Sequence, residues 1–115
     1  MEKRYWGRRE VCELTGVTRR ALQGFNEMGL LKPSKIEDNG YWYYDAEAIA
    51  KLKDILVFQD LGYTRAEILE ILENPQDRDA HFREALERLK EGRLLFDEKI
   101  RLLESSLLDS EDDVE

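Results

Sequence analysis

Two arginines, Arg19 and Arg20, directly follow Thr18, whose hydroxyl can cap the start of a helix. Cations in the first turn of a helix meet phosphates and base edges when that helix enters a DNA groove. One turn later, Gln23 carries an amide able to pair bidentately with adenine. Further along, Asn39-Gly40 separates Ile36 from Tyr41-Trp42-Tyr43-Tyr44, the pattern of a β-hairpin closed by a type I′ turn. Alternation along a strand puts Tyr41 and Tyr43 on one face and Trp42 and Tyr44 on the other. One face packs on the helices, and the other is available to a groove or a partner. Helix, turn, helix and hairpin, in that order, outline a winged DNA reader.

Other chemistries find little support. The single cysteine, Cys12, excludes an intramolecular disulfide and any cysteine cluster for zinc or iron–sulfur. It reads as a small buried thiol, because a redox sensor would want a second cysteine. His81 has no His or Cys neighbour at ligand spacing. No nucleophile–base pair, paired-acid motif or phosphate loop occurs, so an enzyme is not expected, nor is a metal or cofactor. No apolar run approaches the ~20 residues needed to span a bilayer, and no secretory signal is visible. A cytoplasmic protein is the expectation.

The elements that must position these side chains follow from local signals. A first helix is expected from about Arg8 to Leu14, with Val11 and Leu14 on one face, and Gly16 makes the turn. A second helix spans about 19–28, with Leu22 and Phe25 inward and Gly29 as its C′ stop. Gly24 inside it costs about 1 kcal/mol relative to alanine. Lys32-Pro33 leads out in extended form. Asp45 caps a third helix, about 46–61, with Ile49, Leu52 and Leu56 inward, and Ile55 as a further candidate. Thr64-Arg65-Ala66-Glu67 is a capping box opening a fourth, which Asn74-Pro75 stops. From about Arg78 to Leu108 the chain reads as one long helix. Phe82, Leu86, Leu89, Arg93, Phe96, Ile100, Leu103 and Leu107 form a heptad seam broken only by Arg93. Thirty residues would span about 45 Å, too long for the small N-terminal unit to cover, so dimerisation through this seam is expected. The division is then 1–75 for the reading domain, 76–108 for the dimerisation helix and 109–115 for a disordered acidic tail.

Charge sharpens this division. The net charge of −8 over 115 residues speaks against a nucleic-acid binder, since nonspecific DNA affinity comes from Lys and Arg meeting phosphates. Its distribution does not: residues 1–44 carry eight basic and six acidic side chains, the remainder ten and twenty. Five of the last seven residues are acidic, and like charges there repel without a core to offset them.

Glu10-Val11-Cys12-Glu13-Leu14-Thr15-Gly16-Val17-Thr18, Gly29-Leu30-Leu31-Lys32-Pro33, Asn39-Gly40-Tyr41, Tyr44 and Leu61-Gly62-Tyr63 resemble the MerR family of bacterial regulators. The resemblance covers residues 6 to about 75, and the long helix falls where that family has its dimerisation helix. It implies a mainly α fold: a winged helix-turn-helix, two further helices, and an antiparallel coiled coil between two subunits. It also implies a homodimer on a pseudo-palindromic promoter, bending and untwisting double-stranded DNA so that RNA polymerase engages both promoter elements. By position, Thr18, Arg19, Arg20, Gln23 and Phe25 on the second helix, and Lys35, Tyr41 and Trp42 on the wing, match the family's DNA contacts.

The sequence departs from the family at some of those contacts. Gln23-Gly24-Phe25 stands where the family usually has Arg-Tyr-Tyr, Trp42 where it has Arg, and Gln59-Asp60 where a basic residue is common. Lys3, Arg4, Arg8 and Arg9 are available to compensate. Metal-sensing members use cysteines near the end of the dimerisation helix, and none stands there. Drug-sensing members carry a C-terminal ligand domain, and only the acidic stretch follows Leu108. The chain therefore reads as a minimal regulator or as the N-terminal part of a longer one. Trp6, Tyr43, Phe58, Phe82 and Phe96 could line a pocket between subunits, or simply pack. Two other readings of the scaffold remain open: a MerR-like protein-interaction module of the co-chaperone-binding kind, with weak or no DNA binding, and an architectural factor such as an excisionase.

Overall fold

The structure, a computed structural model, describes residues 4–112. By its internal contacts the chain divides after Pro75 into two units. In the first unit, β1 (Trp6–Gly7) leads directly into α1 (Arg8–Thr15), and α2 (Arg19–Glu27) follows. The strands β2 (Lys35–Ile36) and β3 (Trp42–Tyr44) form the wing, and α3 (Ala46–Asp60) and α4 (Arg65–Glu73) complete the unit. Each helix begins where its sequence signal places it. The Glu10 carboxylate accepts from the Gly7 N–H at 3.3 Å, Thr18 Oγ1 from Ala21 at 3.0 Å, and Asp45 Oδ1 from Ala48 at 2.8 Å. At α4 the capping box is complete: Thr64 Oγ1 accepts from Glu67 N–H at 3.1 Å, and Glu67 Oε1 from Thr64 N–H at 3.0 Å. The Glu67 carboxyl is held below its ordinary pKa, chiefly by the Thr64 backbone N–H and further by the Thr64 side chain.

The sheet has three strands, where the sequence suggested only a hairpin. Its order is β1-β3-β2, both pairs antiparallel, with Trp6 opposite Tyr44 and Ile36 opposite Trp42. Two residues of strand carry too little pattern to be read, so β1 appears only when β3 is there to pair with it. The wing tip also differs from a type I′ turn. Among the described residues no non-glycine φ is positive, whereas a type I′ turn needs a positive φ at both central residues. Instead the Glu37 carbonyl accepts from Gly40 N–H at 2.8 Å, Gly40 takes φ 85°, and Glu37 N–H donates to the Tyr41 carbonyl at 2.9 Å. This is a three-residue loop with a left-handed glycine, and Asn39 contributes by accepting Tyr41 N–H on its side chain at 3.1 Å.

The core of this unit joins Val11 of α1, Leu22 and Phe25 of α2, Tyr44 of β3 and Leu52, Ile55 and Phe58 of α3, none of them measurably exposed. Burying each such side chain is worth roughly 1.5–3 kcal/mol. On α3, Ile55 is buried and Leu56 only partly, reversing the expected emphasis. Phe58 meets Tyr63 edge-on at 5.2 Å, so it is a core ring and lines no pocket. Cys12 is half-buried rather than fully enclosed. Tyr44 carries a polar exception: its hydroxyl is buried without a hydrogen-bond partner. Burial pushes its pKa up to about 12, against a lowering by Arg8 and with a further rise from Cys12.

The second unit begins within a short 3₁₀ turn, Pro75–Asp77, and continues as the single helix α5, Arg78–Asp112, of 35 residues. It runs past Leu108, where a disordered tail was expected, through Asp109–Asp112; residues 113–115 lie outside the described residues. No Gly or Pro follows Leu108 to stop the helix, and each further residue needs only one more backbone bond to continue it. Arg78 lies over the Phe82 ring at 4.6 Å, and Glu84 pairs with Arg88 one turn on. Along the expected seam Phe82 is partly covered, while Leu86, Leu89, Phe96, Ile100, Leu103 and Leu107 are 49–67% exposed.

Candidate nucleic-acid interface

The reading helix α2 is fixed to the unit by its inner face. Leu22 and Phe25 are fully buried, and Gly29 at φ 75° lets Leu30 and Leu31 both donate to the Phe25 carbonyl, at 2.8 and 3.2 Å. Its other face is therefore presented outward in a fixed rotation. Thr18, Arg19, Arg20 and Gln23 all lie exposed there. Thr18 Oγ1 is engaged as the cap, which leaves its O–H free to donate. Arg19 and Arg20 form no ion pair among the described residues. They stand where the unpaired N–H groups of the first turn already favour an anion. Gln23 donates to Glu27 Oε1 at 3.4 Å, a long and exposed bond that is easily exchanged.

Phe25 does not belong with them. Its ring has no exposed surface, and the Arg65 guanidinium lies over it at 4.9 Å. A side chain so enclosed cannot reach DNA, and the expectation of a Phe25 contact is corrected to a core role. The sequence had placed Phe25 inward on helical spacing as well; burial decides between the two.

On the wing, Tyr41 is 61% exposed at the tip. Lys35 is exposed, paired with Glu37 at 3.2 Å and 5.5 Å from the centre of the Tyr5 ring. Trp42 is half-buried, and Arg8 covers its ring at 4.6 Å. Trp42 thus presents an edge rather than a free face, and Arg8 is the cation it brings to the wing. Arg4 is exposed and Lys3 lies outside the described residues.

Sequence reasoning passed over Arg65. It sits at the start of α4, far from α2 in sequence, yet its Nη1 would lie 2.8 Å from a Cβ at position 24. Gly24 therefore leaves the space that Arg65 occupies. A cleft of about 470 Å³ results, lined by Thr18, Arg20, Ala21, Gln23, Gly24, Glu27 and Arg65. The available signal was the glycine itself, an unfavourable residue in mid-helix.

Two basic side chains, Arg20 and Arg65, and the exposed Gln23 amide thus share a cleft beside the outer face of a helix in a winged helix-turn-helix, with Arg19 exposed on the same helix turn. Residues 8–75 match the MerR HTH family of regulatory proteins, and the chain belongs to that family. Among its relatives is the HTH-type transcriptional activator mta of Bacillus subtilis, 34% identical over 101 residues that make up 87% of this chain and 39% of that protein. The chain spans about two fifths of the length of the curated relatives it matches. The crystal structure of MtaN, the N-terminus of the B. subtilis multidrug transporter activator, superposes with a TM-score of 0.66 at 33% identity, covering 90% of this chain and 98% of that one. HiNmlR, a MerR family regulator lacking the sensor domain and bound to promoter DNA, shares the fold at 16% identity, with a TM-score of 0.70 over 94% of this chain and 91% of its own. Among the described residues no helix is long and apolar enough to cross a membrane, and no group of acidic, His or Cys side chains is placed to hold a metal.

Proposed function

We propose that the chain is a DNA-binding transcriptional regulator that binds a pseudo-palindromic stretch of double-stranded promoter DNA as a homodimer. It bends and untwists that promoter so that RNA polymerase engages both of its elements. The observation that carries this reading is the pair Arg19 and Arg20, exposed and, among the described residues, without ion-pair partners, in the first turn of a helix whose opposite face is locked into the core. Thr18, Gln23, Lys35, Tyr41 and Trp42 complete the proposed contact set. The promoter-bound state of HiNmlR and the activator role of mta support it. The exposed seam of α5 supports the dimer, because 35 residues of helix reach about 52 Å, enough to hold two reading units one turn of DNA, ~34 Å, apart.

Selection from random-sequence duplexes at low salt, followed by anisotropy titration on the enriched site, tests the proposal. Arg19→Ala with Arg20→Ala removes two contacts from each subunit, four in the dimer, worth about 1–3 kcal/mol each, a loss of roughly several hundredfold or more. A wild-type protein that enriches no sequence and binds no duplex refutes the reading and leaves a protein-interaction role on the same scaffold.

A further inference from the structure

We propose that Arg65 is a DNA-backbone contact, carried by α4 through the gap at Gly24 onto the outer face of α2. This rests on the reading that α2 meets DNA. The side chain is half-buried, stacked over Phe25 at 4.9 Å, with Nη1 4.0 Å from the Met28 sulfur. Stacking uses the face of a guanidinium and leaves its in-plane donors free. Among the described residues none of these donors meets an oxygen acceptor, and no carboxylate pairs with the charge. Glu27 lines the same cleft but forms no ion pair with it. A planar set of donors, stacked on an aromatic ring and met among the described residues only by the weak Met28 sulfur, suits the bidentate geometry of a phosphate.

Position supports the same ligand. Arg65 shares its cleft with Thr18, Arg20 and Gln23, so a phosphate reached by Arg65 belongs to the duplex that those residues face. The glycine is required by this arrangement. A Cβ at position 24 would come within 2.8 Å of Nη1, and only the flexible guanidinium stands in its way. Any larger residue would displace the cation from α2 while leaving the backbone undisturbed. A helix-weakening glycine is thereby exchanged for a cation on the reading face, supplied by a different helix.

The test is an anisotropy titration of the full chain on its selected duplex and on an unrelated duplex, across a range of salt. Arg65→Gln, present in both subunits of the dimer, should weaken binding about tenfold or more on both duplexes and lower the slope of log K against log salt by about two, one for each lost phosphate contact. Gly24→Leu, which retains the arginine but fills its place, should give the same reduced slope. An unchanged slope for Arg65→Gln overturns the proposal, even where affinity falls, since a purely structural role for the Phe25 stack would not alter it. If Arg65→Gln does not fold, an unchanged slope for Gly24→Leu overturns it equally. In both cases continued binding by the wild type leaves the promoter-binding reading standing, whereas no binding by the wild type removes both.

Discussion

Replacing Tyr44 with phenylalanine should make the protein more stable, and increasingly so in alkali. The Tyr44 ring is fully buried on a strand that packs against α1 and α3, and among the described residues its hydroxyl meets no hydrogen-bond partner. An unmatched buried hydroxyl costs about 1–3 kcal/mol, so its removal should return on the order of 1 kcal/mol at neutral pH. For a reading unit of this size that is a rise of roughly 4–8 °C in Tm. The pH dependence follows from the same burial. The folded pKa of about 12 lies above the ordinary tyrosine value of 10.0, so the folded state holds the proton more tightly than the unfolded one. The stabilisation is fully present below pH 10 and is lost as pH rises from there through 12, at about 1.4 kcal/mol per pH unit. The variant lacks this loss, so its advantage over wild type should widen from about 1 kcal/mol at pH 8 to more than 2 kcal/mol by pH 11. Urea unfolding followed by circular dichroism at pH 8, 10 and 11, at one fixed protein concentration, measures it. Equal pH dependence of the two proteins would refute the burial argument, and a variant less stable at pH 8 would mean that the hydroxyl is satisfied.

Two further outcomes are expected. Thr64→Ala should cost about 1 kcal/mol through loss of the α4 cap. It should also flatten the acid limb of stability in part: the Glu67 pKa is lowered in the folded state mainly by the Thr64 backbone N–H, which the variant keeps, and further by the Thr64 side chain, which it loses. The Glu67 contribution is present above the unfolded carboxylate pKa and disappears as pH falls through the folded one. Urea unfolding at pH 7 and pH 3 checks both parts, and an unchanged acid limb would remove the Thr64 side chain as a cause of the lowered pKa. Leu89→Lys with Ile100→Lys should convert a dimer to a monomer at micromolar concentration with little change in helix content. Those side chains are 58% and 51% exposed in the single chain, so they contribute little to its own fold, while four apolar side chains per dimer are removed from the proposed interface at about 1.5–3 kcal/mol each. An unchanged sedimentation coefficient would discard the seam as the dimer contact.

Helix starts were legible in the sequence because each is a local contract between a hydroxyl or carboxylate and an N–H three residues on. Thr18, Asp45 and Thr64 with Glu67 are all used as their types suggest. Helix ends at Gly16, Gly29 and Gly62 were legible for the same reason, since each takes a positive φ. What failed was non-local or depended on a small energy difference. The strand at Trp6–Gly7 exists through its pairing with Tyr43 and Tyr44, which no local window contains. The wing turn depended on whether Asn39 would join Gly40 in the left-handed region, and the three-residue loop lets it avoid doing so. Helical spacing put Phe25 inside while homology put it at DNA, and its packing against the core shows which constraint governs. Arg65 was invisible because its neighbour is defined by a missing side chain forty-one positions earlier.

The charge balance ties these particulars to the proposed mechanism. A chain with net charge −8 has little delocalised attraction to offer a polyanion, so a few placed cations must carry the electrostatic part of binding. Several of the basic groups in the reading unit are already committed: Lys35 to Glu37, Arg9 to Glu13, and Arg8 to the Trp42 ring. Among the described residues Arg19 and Arg20 on α2, and Arg65 beside it, form no ion pair with a carboxylate. Few phosphate contacts mean a shallow salt dependence and weak binding to unrelated sequence, because those contacts supply nearly all of nonspecific affinity. Discrimination then falls to base contacts such as Gln23 and to the energy of deforming the promoter, which for a bent site is on the order of 1–6 kcal/mol and depends on sequence even where no side chain touches it. On that account the unusual residues at 23 and 24 shift the protein from grip toward selectivity, with Arg65 restoring through a second helix part of the hold that Gly24 gives up.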